Sequence, residues 1–128
     1  MPLYKRVPQF KSLAQGAHLD GKNVRVEYAD NGEQFKHAYP MEGEILTGYE
    51  DREGPGAWFL VWLDNSFDLD GETHAHVLIA ARYAGRPIGG MDPAPVYVKL
   101  PDNIERVQGG TLDIEKMVDL GWGVATII

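Results

Sequence analysis

His74-Ala75-His76 is the constellation in this chain most readily turned to chemistry. Alternate residues of a strand share a face, so both imidazoles could reach one metal ion. Glu72 would add an oxygen ligand from the same strand. The pair still needs a further ligand from elsewhere, with His18 or His37 as the candidates. Metal sites use three or four ligands, so two histidines more commonly mark a solvated sheet face or an interface. Glu72, His74 and His76 are the metal candidates, and no cofactor is expected.

Other chemistry is thinner. Ser66, Asp68, Asp70 and Gly71 have the spacing of a calcium-loop fragment, but its twelfth position would be Val77, not the bidentate glutamate such a loop needs. An acidic hairpin loop over 64–71 is the simpler expectation. Gly85-Arg86-Pro87-Ile88-Gly89-Gly90 lacks the Gly-Lys-Ser/Thr ending of a phosphate loop and reads as a connection. The serines, Ser12 and Ser66, sit in no Gly-x-Ser-x-Gly elbow. Carboxylate pairs such as Glu42 with Glu44 would act as acid and base only if buried, and exposed acid is the rule. There is no cysteine, which removes thiol catalysis, disulfides and cysteine-held zinc.

The element that must position everything else is Trp58-Phe59-Leu60-Val61-Trp62-Leu63, which carries two of the three tryptophans. A strand here points Trp58, Leu60 and Trp62 one way and Phe59, Val61 and Leu63 the other. Both faces are apolar. A barrel interior takes one set; if that is Phe59, Val61 and Leu63, then Trp58, Leu60 and Trp62 are left outside. The other set then lies under a helix or meets a partner.

Around it, period-two alternation predicts strands. Val24, Val26 and Tyr28 alternate with Arg25 and Glu27, and Asn31-Gly32 follows as a hairpin turn. A returning strand over 34–38 is predicted before Pro40. Further strands are predicted over 44–49, 73–83 and 96–100, with a glycine- and proline-rich loop over 85–95. Gly48 signals a bulge or a close backbone approach. Phe10, Leu13, Ala14 and Ala17 share a helical face, which predicts a short helix over 8–16. Thr111 could cap a second helix with Ile114, Met117 and Val118 buried and Gly121 as its stop. Trp122 to Ile128 would then be a strand or a packed tail.

Net charge is −7 and uneven: residues 41–80 hold nine acidic side chains and one basic. Polyanions prefer basic surfaces, so nucleic acid is an unlikely partner. An acidic face suits a basic protein partner or solubility. No apolar run reaches membrane-spanning length, and a cytoplasmic protein without a membrane partner is expected.

Residues 10–64 resemble the front half of Sm-like or SH3-like small barrels. The likeness rests on the helix from Phe10 to Gly16, on Gly21-Lys22-Asn23-Val24-Arg25-Val26-Glu27-Tyr28, and on Gly43-Glu44-Ile45-Leu46-Thr47-Gly48-Tyr49-Glu50. It implies a barrel and ring-like or dimeric assembly. The chain departs from the pattern in a longer segment between the first two strands and in lacking a second Sm motif near 80–86.

The expected fold is therefore α+β and mainly β. It is a single domain over 1–128, a five- or six-stranded antiparallel barrel or twisted sheet with a short helix near each end. The leading function is a non-catalytic module that binds a protein partner and can self-associate. Its candidate surface is Trp58, Trp62, Glu50, Asp51, Glu53 and Tyr97. The rivals are a metal- or small-ligand enzyme at His74 and His76, and an Sm-like nucleic-acid binder.

Overall fold

Alternation becomes architecture in the first strand, β1 (Asn23–Tyr28), where Val24 and Val26 are sealed and Arg25 and Glu27 are exposed. Five more strands follow: β2 (Met41–Asp51), β3 (Gly56–Leu69), β4 (Glu72–Ala81), β5 (Ala94–Leu100) and β6 (Val118–Ile127). The computed structural model describes residues 19–29, 36–51, 56–101 and 117–128. Each strand pairs antiparallel with the next, and β6 pairs back onto β1, closing a six-stranded barrel. Closure pairs both sheet edges.

Inside, Val24, Val26, Met41, Ile45, Phe59, Val61, Leu63, Val77, Ile79, Val96, Val98 and Leu120 form one apolar cluster. Every described residue that is buried is apolar, glycine or proline. On β3 the inward set is Phe59, Val61 and Leu63.

Local chemistry explains the corners. β3 and β4 meet in a two-residue turn, Asp70-Gly71, with Leu69 paired to Glu72. Both turn residues have positive φ, 51° and 81°, the twist that suits a tight hairpin. The loop expected over 64–71 is thus strand up to Leu69, and only Asp70-Gly71 turns. Between β2 and β3 the register slips around Leu46, between Ile45 and Thr47. The irregularity sits beside Leu46 and not at Gly48, where the ring of Phe59 packs instead: a Cβ on Gly48 would lie 3.0 Å from Phe59 Cε1.

Two expectations are corrected. Residues 36–38 form a 3-10 turn, not a returning strand, with the Tyr39 N–H donating to the Lys36 carbonyl at 3.1 Å. The strand that pairs with β1 starts only at Met41. No α-helix occurs among the described residues, where the second expected helix runs into strand from Val118. The range 8–16 lies outside the described residues, as does 111–116, and Asn31-Gly32 does too. From Val118 the chain is strand, because Leu100 and Lys99 of β5 pair with Val118 and Asp119. No described helix is long and apolar enough to cross a membrane.

The up-and-down order places connections alternately at the two ends. Asp51, the last residue of β2, and the β4–β5 loop (residues 82–93) share one end. The 70–71 turn and the 101–117 connection share the other.

Candidate functional site

The histidine pair lies near the second end. His74 Nε2 is 3.9 Å from the exposed Glu72 carboxylate, and its ring packs against Phe67. His76 stacks on Trp62 across the β3–β4 pair, with ring centroids 6.5 Å apart and planes 12° apart. His37 approaches the same hairpin, its Nε2 3.1 Å from the Asp68 carbonyl oxygen. Among the described residues, no three His, Cys, Asp or Glu side chains gather to hold a metal. Asp68 is engaged by Thr73, whose hydroxyl donates to its Oδ1 at 2.6 Å.

Burial lowers the pKa of His76 below its ordinary 6.5, because the charged ring loses solvation. The unfolded chain then takes up a proton that the folded chain resists. The stability contributed by the neutral ring is present above pH 6.5 and is lost as pH falls through the lowered folded value. Urea midpoints are expected to drop between pH 7 and pH 5, with a shallower drop in His76→Gln. Identical slopes in the two proteins would show that this ring is not the sensor.

The tryptophan strand divides unexpectedly. Trp58 and Leu60 stand on the outer face, yet they are 2% and 0% exposed. Their outer neighbours on β4, Leu78 and Ala80, are buried as well. Trp62, on the same face, is 39% exposed. Trp58 therefore offers no contact surface, whereas Trp62 does. At Glu50 and Asp51 the β2 backbone pairs with Ala57 and Gly56. Glu53 lies outside the described residues.

A second aromatic group, largely unanticipated, surrounds Arg82. Tyr97 of β5 is paired with Ala80 on one side and Trp122 of β6 on the other. Arg82 follows β4 on the outward parity, and its guanidinium carbon lies 4.4 Å from the Trp122 ring centroid. It lies 5.3 Å from Tyr97 and 5.5 Å from Tyr83. All three distances are within cation–π range, roughly 6 Å. No family model, curated protein or solved structure matches this chain. Its function must therefore be argued from these residues.

The loop behind Arg82 is tied at both ends. The Arg82 N–H donates to the Pro95 carbonyl at 2.9 Å. Turns follow at Arg86 N–H to the Tyr83 carbonyl and Gly90 N–H to the Pro87 carbonyl, both 3.1 Å. Arg86 Nη2 reaches the Pro93 carbonyl at 2.7 Å, and Ile88 is buried in the core cluster. This is the construction of an Ω-loop, closed at its neck and packed by its own residues. Tyr97 was legible in sequence as an outward ring on a clean strand. Arg82, Tyr83 and Trp122 were not, because only the register of β4, β5 and β6 brings them together.

Proposed function

We propose that this chain is a non-catalytic interaction module that docks a protein partner through rings on the outside of its barrel. The supporting observation is the contrast between the two surfaces of the sheet. Among the described residues, the interior is filled by apolar side chains. Outside, Tyr83, Tyr97 and Trp62 are 53%, 37% and 39% exposed, although such rings are strongly attracted to burial. Large aromatic side chains dominate the affinity of protein interfaces. A fixed Ω-loop and paired strands hold these rings in place before binding, which lowers the entropic penalty of docking.

The acid of residues 41–80 supplies the charge half of the reading, with Glu50 and Asp51 closing β2 at the end that carries the Ω-loop. A partner with basic side chains fits that end, and a second copy of the chain is the other partner to test. Cross-linking pull-down with the tagged protein should retain a partner. Tyr97→Ala and Trp62→Ala are each expected to weaken retention by about tenfold or more, the scale of a hot-spot residue. Reversing the charges at Glu50, Asp51 and Glu53 should weaken it further and make it less salt-dependent. Solution mass across a concentration series reads self-association. Retention untouched by all of these substitutions, with a monomer at every concentration, would remove the proposal.

A further inference from the structure

Arg82 is the unusual cation of this surface. Its neighbours are committed: Lys99 lies 3.5 Å from Asp119, and Arg86 donates to the Pro93 carbonyl. Arg82 has no carboxylate among the described residues, and its buried Nε–H has no hydrogen-bond acceptor among them. Arg82 is half-buried, and a sealed N–H without an acceptor is costly. The rings of Trp122, Tyr97 and Tyr83 meet it within 5.5 Å. The guanidinium carbon lies over each of the three rings. The N–H groups of this flat cation lie in its plane and remain suited to acceptors at the edge.

We propose that Arg82, held by Tyr83, Tyr97 and Trp122, is the seat for one carboxylate of the docked partner segment. The inference rests on the docking module proposed above and names the group that this part of its surface selects. A carboxylate matches the guanidinium edge with two parallel N–H···O bonds, and the rings beside it accept the apolar neighbours of that acidic residue. A single guanidinium suits one carboxylate. A nucleic-acid backbone would need a row of such cations, and the chain carries a net −7 instead. Docking would pair the guanidinium through its outer Nη groups, since Nε is sealed within the barrel surface.

The test follows the Arg82 Nε–H and Trp122 indole N–H resonances of the labelled full chain. One probe is a blocked peptide with a glutamate between two leucines; its twin carries glutamine instead. Both resonances should move saturably with the glutamate peptide. The glutamine twin should bind at least ~10-fold more weakly, the loss expected for a hydrogen bond to a charged group. Arg82→Lys keeps the charge and loses the planar fork, and it should weaken the glutamate peptide comparably while its amide spectrum confirms the fold. No saturable shift, equal response to both peptides, an undiminished response in Arg82→Lys, or a shift caused by oligothymidylate in place of the peptide would each overturn the seat. If the glutamate peptide fails while Tyr97→Ala still lowers partner retention, the module stands and only the carboxylate seat falls.

Discussion

Replacing Gly43 with alanine is expected to destabilise the barrel by ~3 kcal/mol or more, the upper range for forced overpacking. Gly43 pairs with Leu63, and the two backbones nearly touch there. A Cβ at this position would lie 2.7 Å from the Trp62 carbonyl carbon and 2.8 Å from Leu63 Cα, and closer still to the Trp62 carbonyl oxygen. These are main-chain atoms in the middle of a ladder, so no rotamer change relieves the clash. Relief requires β2 and β3 to separate, which breaks the hydrogen bonds on which barrel closure depends. For a chain of this length the melting temperature should fall by roughly 10 °C. Gly85→Ala is the matched control. Nothing lies within 4 Å of its added Cβ, and its change should stay within about 0.5 kcal/mol. Thermal melts of the two variants beside the parent decide it. Equal melting temperatures for Gly43→Ala and the parent would mean that the strands are not in this register.

Where sequence was a good guide, one face was apolar and the other polar. Arg25 and Glu27 fix the sidedness of β1, and Tyr97 and Lys99 fix that of β5. The loop expected over 64–71 shrank to Asp70-Gly71, because pairing resumes at Phe67 beyond the irregular stretch that holds Asp64, Asn65 and Ser66. Alternation failed in β3, where both faces are apolar and parity carries no information about which is open. It also cannot count past irregularities: register shifts between Ile45 and Thr47 and between Trp62 and Phe67 change which residues face together. The Arg82 group was hidden for a third reason. Its members come from the end of β4, from β5 and from β6, and only pairing of those strands makes them neighbours.

Trp58 and Trp62 test that division directly, since sequence treats them alike and structure does not. Trp58→Ala should destabilise by about 3–5 kcal/mol, the range for deleting a large buried ring. Its side chain is 2% exposed, so truncation removes nearly all of its burial and leaves a cavity beside Leu60, Leu78 and Ala80, whose side chains are already sealed. Trp62→Ala removes a ring that is 39% exposed and stacked on His76, so the loss should be about 1 kcal/mol, the scale of one aromatic pair. Partner retention should rank the other way among folded proteins, with Trp62→Ala impaired and the conservative Trp58→Phe close to the parent. Iodide quenching gives an independent reading: Trp62 should be accessible and Trp58 shielded, so the parent loses a quenchable component in Trp62→Phe but not in Trp58→Phe. Equal destabilisation by the two alanine substitutions, or quenching that disappears with Trp58, would mean that the outer face of β3 is open where the barrel has it closed. The docking surface would then have to be redrawn around Trp58.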